Sequence, residues 1–364
     1  MSEQITVDQS VIANYEDTIK ALKAEMMNRI PMMLTFQNTI DTPPVPREAL
    51  YNQSCGNDGV TVTHWKDTWM DHITKNNAKY KFEENSVMQD YGKYAYHPVI
   101  IAGSGPSLKK NAPLLADRGS MGLVSCLHNF AYLTDLGVQT DGYVNLDAGE
   151  ITIPEMSQGG KHPSDYYWDA TKDCTLIAAT VSLPELVDRW KGRVLFFAAP
   201  VPDMEFMAKN LEVTKFETFF NVGGNALGAA YYHARAVLGG TPIVFVGADF
   251  CFDYMRKFHS WQSPYDKQFN GVVPCTDIFG NRVYTWPSYQ NFAMWFMHQS
   301  LGGNGSNPTM FINCTEGGIL GSFPNGNLAS IRQMALADCI TMYNHHRMMP
   351  DLVKSDPAKP KLLF

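Results

Sequence analysis

Apolar and polar positions follow two rhythms along the 364-residue chain, and the change falls near Pro98. Before it, residues 13–34 (NYEDTIKALKAEMMNRIPMMLT) set Ile19, Leu22, Met26 and Ile30 at helical spacing, with a break at Pro31, whose ring and missing N–H interrupt a helix. DTPPVPREALYNQ reads as a Pro-rich connector, and 64–92 as mixed, weakly helical sequence. After Pro98, short β-rich runs (PVIIAG, GLVSCL, DGYVNLD, CTLIAAT, RVLFFAA, PIVFVGAD and MFINCT) alternate with helical segments such as PSLKKNAPLLADR, NFAYLTDLG, LPELVDRW and NALGAAYYHARAVLGG. Strands this uniformly apolar are buried on both faces, and the intervening helices supply the cover. The pattern predicts an α/β fold with a doubly wound, mostly parallel sheet. It divides the chain into a small, mainly helical N-terminal region (1–95), the sheet domain (96–330) and a C-terminal helix and tail (331–364).

Composition narrows the function classes. Hydrophobic residues make up 45% and charged residues 18%, an ordinary balance for a soluble globular protein. The net charge of −7 is spread among interspersed acids and bases, without the Lys/Arg clustering that duplex nucleic acid requires. The short run Lys75–Lys81 is mixed with Asn and reads as a solvated helix end. Seven cysteines lie singly, with no C-x-x-C pair, and the odd count argues against a disulfide framework. MSEQITVDQS has no apolar leader segment, and no stretch reaches the about 18 apolar residues of a membrane span. A soluble, cytoplasmic protein without a membrane span is expected.

In doubly wound sheets, ligands bind outside the carboxyl ends of the strands, so the chemistry is sought there. The first strand ends Gly103-Ser104-Gly105-Pro106-Ser107-Leu108. The glycines let backbone approach a ligand, and Pro106 suits a first helical position. The N–H groups of Ser107, Leu108 and Lys109 would then face a phosphate at the positive end of the helix dipole; a plain strand-to-helix turn is the alternative. G-x-x-x-x-G-K-[ST] is absent, and the second strand ends in Ser125, His128 and Asn129 rather than an acid, which argues against a Walker-type loop and against NAD. Asn129 is a candidate reader of a base or sugar, or an N-cap. Asp147 and Glu150 follow the third strand in VNLDAGE, where a metal, a ribose or an acceptor hydroxyl would suit them, as would a simple turn.

Gly223, Gly224 and Asn225 open a helix lined by Ala226, Gly228, Ala229 and Ala230, fit for close approach to a ligand or to the sheet. The strand after it ends Gly247-Ala248-Asp249, and burying an unpaired carboxylate costs several kcal/mol, so Asp249 is a functional candidate. His259 and Tyr265 lie in an aromatic segment with Trp261, Tyr284 and Trp286; His259 is a candidate general base or an exposed loop histidine. Thr315, Glu316 and Gly317 end the last apolar strand in a form suited to gripping a hydroxylated ligand, or to a turn.

Taken together, IIAGSGPSL, NVGGNALGAAYYHARAVLGGTPIVFVGADFCF, DIFGNRVYT and INCTEGGILGSF occur in the order seen in the MptE-like domain family, which includes motility accessory factors linked to flagellin glycosylation and archaeal 6-hydroxymethylpterin diphosphokinases. The resemblance spans roughly residues 95–325. GSGPSL and GADF are also similar to the CMP-sialic-acid-dependent sialyltransferases with a Rossmann-like fold. The resemblance implies a nucleotide-gripping transferase. Gly103, Ser104, Gly105, Pro106 and Ser107 would contact a CMP donor, with Gly223, Gly224, Asn225 and Asp249 bordering the nucleotide. Asp249, His259 and Asp147 are the catalytic candidates; Thr315, Glu316 and Gly317 are the candidates for the sugar or acceptor. The sialyltransferase base lies in a YxGH-like context that this chain lacks.

The leading expectation is transfer of a nonulosonic-acid-type sugar from CMP to a hydroxyl acceptor, such as a protein hydroxyl or a glycan, with no covalently bound cofactor. The second is pyrophosphoryl transfer from ATP to a pterin alcohol, with Mg²⁺ on Asp147 and Asp249. The third is a non-catalytic nucleotide- or glycan-binding module. Homo-oligomerisation stays open.

Overall fold

The computed structural model describes residues 47–262, 271–300, 310–323 and 326–345. Each of the seven apolar runs contains a strand: β1 (Val99–Ala102), β2 (Gly122–Cys126), β3 (Gly142–Asn145), β4 (Thr175–Ala179), β5 (Arg193–Phe197), β6 (Ile243–Val246) and, later, β9 (Phe311–Asn313). Between β6 and β9 lies an antiparallel hairpin of β7 (Val273–Thr276) and β8 (Arg282–Thr285). A second small ribbon joins β10 (Ser322–Phe323) to β11 (Gly326–Asn327), and β12 (Ile331–Gln333) completes the set.

The main sheet has eight strands in the order β12-β9-β6-β1-β2-β3-β4-β5, and every pairing in it is parallel. The expected mostly parallel sheet is thus parallel throughout. Its outermost strand, β12, lies beyond residue 330, where the sheet domain was expected to end. All carboxyl ends lie along one edge. The chain lays down β1 to β5 in one direction and returns to place β6 on the other flank of β1. The order therefore reverses between β1 and β6, where such sheets open a crevice.

Strand alternation feeds two cores. Val99, Ile101, Val124, Val144, Ile177 and Phe245 face one side, under α5 (Ala226–Tyr232) and α6 (Pro287–Ser300). Ile100, Ala102, Leu123, Tyr143, Leu176, Val244 and Val246 face the other, with Leu108 of α2 (Leu108–Asn111), Phe130 of α3 (Phe130–Asp135) and Leu336 of α7 (Leu336–His345). Side chains two apart on a strand share a face, so each core takes every second residue.

Residues 47–80 form one helix, α1, where the sequence suggested a connector followed by mixed sequence. The apolar pattern is faint because polar groups anchor the helix. Asn76, 1% exposed, donates to the Ser182 carbonyl at 2.8 Å, and His72 Nδ1 meets the Val181 carbonyl at 3.1 Å. Only a narrow stripe, including the fully buried Ile73, touches the core. The helix expected over 13–34 lies outside the described residues. Among the described residues, no helix is long and apolar enough to cross a membrane.

The helix carrying α5 continues through a π turn, His233–Val237, where His233 is 1% exposed and its Nδ1 has no partner. Burial pushes this imidazole down to about 4 from its ordinary 6.5. Below about pH 6.5 the unfolded chain takes up a proton that the fold refuses. Stability therefore falls as pH drops from about 6.5 to 4, by on the order of 3 kcal/mol from this group. The melting temperature of His233→Gln should decline less between pH 7 and pH 5 than that of the parent; equal declines would remove His233 as the cause.

Candidate functional site at the β1–β6 crevice

The turns leaving β1 and β6 touch. Gly105 N–H donates to the Gly247 carbonyl at 2.9 Å, and a Cβ on Gly103 would stand 2.5 Å from the same oxygen. Asp249, 7% exposed, points across the crevice into the start of α2. Its Oδ2 accepts from Ser107 Oγ at 2.8 Å, and its two oxygens lie 3.3 and 3.4 Å from Ser107 N. A Cβ on Gly105 would lie 2.0 Å from Asp249 Oδ2. Gly105 is needed because the carboxylate passes directly over it.

The sequence reading placed free N–H groups of Ser107, Leu108 and Lys109 at this helix tip. In the structure Ser107 N–H faces Asp249, and Leu108 N–H donates to the Gly105 carbonyl. Asp249 thus takes up donors that the sequence reading left for a phosphate. Burial pushes its carboxyl up to about 7, against the hydrogen bonds from Ser107 that hold it down. The backbone at Ala248 and Asp249 is clamped from the turn after β9: Thr315 Oγ1 accepts from Ala248 N–H at 3.0 Å, Ile319 N–H donates to the Asp249 carbonyl at 2.9 Å, and Gly318, at φ +75°, would press a Cβ to 2.5 Å from Asp249 Cα.

Asn129 is 1% exposed and holds the first turn from the side, donating to Ala102 O, Gly103 O and Ser125 Oγ. It makes no N-cap bond, and its Oδ1 is buried without a partner. Above the turn runs Phe258–Gln262, tied by Ser260 N–H to the Ser104 carbonyl at 2.9 Å. This brings His259 to the site. Its ring stacks on Trp261 (centroids 4.9 Å apart, planes at 10°) and stands edge-on to His128 at 5.9 Å. Burial, then the neighbouring His128, push His259 down to about 4, and its Nδ1 is buried unpartnered. Tyr265 lies outside the described residues.

Other candidates are placed differently. The tip of α5 reaches the crevice, since Leu227 Cδ1 would meet a Gly103 Cβ at 3.4 Å. That tip is capped internally: Asn225 Oδ1 accepts from Gly228 N–H at 2.9 Å, and α6 covers the glycines, with Trp295 2.5 Å from a Gly223 Cβ and Phe292 3.1 Å from a Gly224 Cβ. Glu316 pairs with Lys110 at 2.5 Å and accepts from Leu336 N–H at the start of α7. Gly317 has open space around it.

Asp147 closes an exposed turn by accepting from Gly149 N–H at 2.8 Å. It follows β3, three strand spacings from β6, or about 14 Å along the sheet. Ligands of one Mg²⁺ sit about 2 Å from the ion, so Asp147 and Asp249 do not fit a shared Mg²⁺. Among the described residues no group of three His, Cys, Asp or Glu has metal-binding geometry.

Gly318, Ser260, His128 and Glu155 join the site without having been singled out as site residues from sequence. His128 was visible at the end of β2; Glu155, in ITIPEMSQ, carries no local signal.

A solved structure of a MAf glycosyltransferase from Magnetospirillum magneticum AMB-1 is similar over 73% of this chain, at 19% sequence identity and a TM-score of 0.49; this chain spans 38% of that protein's length. No curated protein matches the sequence. The family described as 6-hydroxymethylpterin diphosphokinase MptE-like matches residues 71–254, half of the chain, a span that runs from α1 through β6 and includes both turns and Asp249. The chain belongs to the MptE-like family.

Proposed function

We propose that the chain is a transferase that binds a nucleotide-activated donor in the β1–β6 crevice, and that it moves a nonulosonic-acid-type sugar from CMP to a hydroxyl acceptor. The observation that carries the reading is the contact between Asp249 and Ser107 at a helix start across the switch point. In its ionised form Asp249 would repel a phosphate at that tip. Its raised pKa removes the conflict, since a bound phosphate drives the carboxyl further towards its neutral form. The neutral acid then faces the departing phosphate and donates its proton as the bond to the sugar breaks, while Ser104, Ser107 and nearby backbone N–H groups share the charge. Asn129, with an unpartnered amide oxygen, is assigned to the base or sugar of the donor. Trp261 supplies an aromatic face beside the site.

The alternative named by the family description, pyrophosphoryl transfer from ATP to a pterin alcohol, uses Mg²⁺ to spread charge over the phosphates. The separation of Asp147 and Asp249 speaks against their joint role in it. Thermal shift separates the two readings. CMP at about 100 times its Kd should stabilise the fold by about 2.7 kcal/mol, several degrees of melting temperature. ATP with Mg²⁺ should not. Stabilisation by ATP and Mg²⁺ with none by CMP would replace the sugar-transfer reading by the pterin one.

A further inference from the structure

The turn leaving β9, residues 314–319, touches both sides of the crevice. β9 lies beside β6, so this turn approaches from the flank opposite the loop after β3, which carries α4 (Thr152–Glu155). Towards β6, Thr315 Oγ1 accepts from Ala248 N–H at 3.0 Å, and Ile319 N–H donates to the Asp249 carbonyl at 2.9 Å. Towards α2, Asn111 Nδ2 donates to the carbonyls of Cys314 and Thr315 at 2.9 and 3.2 Å, and Lys110 pairs with Glu316. Thr315, fully buried, joins the two sides. Its carbonyl holds α2, and its hydroxyl holds the residue before Asp249.

The turn is stiff. Asn313 of β9, 1% exposed, accepts from Thr315 N–H at 3.1 Å and donates to the Leu320 carbonyl at 3.2 Å, closing the loop at its base. The backbone it holds is not in a conformation it would choose alone. Phe250, next after Asp249, stands at φ +54° and Glu316 at φ +56°, left-handed values that residues with a Cβ keep only where the surroundings enforce them. On the far side, the Thr285 hydroxyl donates to the Phe250 carbonyl at 2.5 Å. With the backbone so held, the Asp249 carboxylate reaches across the crevice to Ser107 Oγ at 2.8 Å.

We infer that Thr315 is a positioning residue: the turn after β9 fastens α2 to the β6 turn, and the Thr315 hydroxyl thereby holds Asp249 against Ser107. Its catalytic meaning rests on the sugar-transfer reading above, in which Asp249 is the acid. Removing the hydroxyl leaves the N–H of Ala248, a residue 2% exposed, without its acceptor. That peptide then turns to another acceptor or to water, and Asp249 loses Ser107. The bonds from Ser107 hold the carboxyl down against burial, so their loss raises it. Asp253 and Cys251, which act on Asp249 from its own strand end, and the Lys110–Glu316 pair across the turn are all kept.

The test reads the Asp249 carboxyl directly, in the full chain labelled with carbon-13 at its aspartate carboxyls, the signal being identified by its loss in Asp249→Asn. The midpoint, about 7 in the parent, should rise to about 8 or higher in Thr315→Val, which keeps the shape of threonine without its hydroxyl. Thr315→Ser keeps the hydroxyl and should titrate as the parent does. Ser107→Ala should also raise the midpoint, and Thr315→Val added to it should change little more, since both act through one contact. With CMP-N-acetylneuraminic acid as donor probe and water as acceptor, Thr315→Val should lower kcat for CMP release about 10- to 100-fold while the CMP thermal shift persists. Where Thr315→Val fails to fold, Asn111→Ala, which frees the α2 end of the turn, carries the same expectation. A midpoint that stays at the parent's value overturns the positioning role, whatever the turnover. A raised midpoint with unchanged turnover leaves Thr315 holding Asp249 and overturns the acid role. Absence of CMP stabilisation in the parent overturns the sugar-transfer reading, and the titration still decides whether Thr315 holds Asp249.

Discussion

Asp249→Asn is expected to lower turnover by about 100- to 1,000-fold while CMP binding stays as strong or becomes stronger. The two effects separate because the carboxyl has two properties at one place. As an acid it gives a proton to the leaving phosphate, and asparagine has no such proton. As a partial anion it opposes the phosphate, and asparagine removes that charge. The amide oxygen of the new side chain would still accept from the Ser107 hydroxyl, so the turn keeps its shape. The parent's pH profile should follow the same group. The acid form is held up to about pH 7 by burial, so activity requiring it falls as pH rises through that value. The measurement pairs CMP release between pH 5.5 and 9 with CMP thermal shifts for both proteins. Unaltered turnover in the variant would end the acid role of Asp249.

Gly105→Ala is expected to cost about 3 kcal/mol, lower the melting temperature by about 5–10 °C and abolish the CMP shift. The new methyl would stand 2.0 Å from Asp249 Oδ2 and 2.7 Å from the Gly247 carbonyl. The carboxylate cannot swing aside without leaving Ser107, and the carbonyl belongs to the backbone that ends β6. One of the two turns must move, and the crevice lies between them. Gly317→Ala is the matched control: nothing lies within 4 Å of its Cβ position, so stability and CMP binding should match the parent. Equal melting temperatures for Gly105→Ala and the parent would show that the two turns are not in the tight contact described.

The comparison of these glycines shows what could be read early. Gly105 and Gly317 both sit at strand ends in the sequence, and both were candidate ligand contacts. Only packing distinguishes them, because one faces a buried carboxylate and the other faces open space. Gly223 and Gly224 carry the same lesson, since the atoms that demand glycine there belong to Trp295 and Phe292 of α6. Thr315 and Glu316 are taken up by bonds to Ala248 and to Lys110 and Leu336. Local sequence marks a strand end but not what lies opposite it. The strand β12 was missed for a related reason: at the sheet edge only Ile331 of its three residues is buried, so no apolar run announces it.

By itself, the sequence determined the seven apolar strands and their parallel winding. Those follow from composition and periodicity within a few residues, which burial on both faces of a sheet enforces locally. The tertiary structure alone decided that Asp249 meets Ser107, 142 residues away, and that Glu155 meets His128. Such pairs depend on which strands lie side by side. That order is set by the packing of whole helices across the sheet, and no short stretch of chain records it.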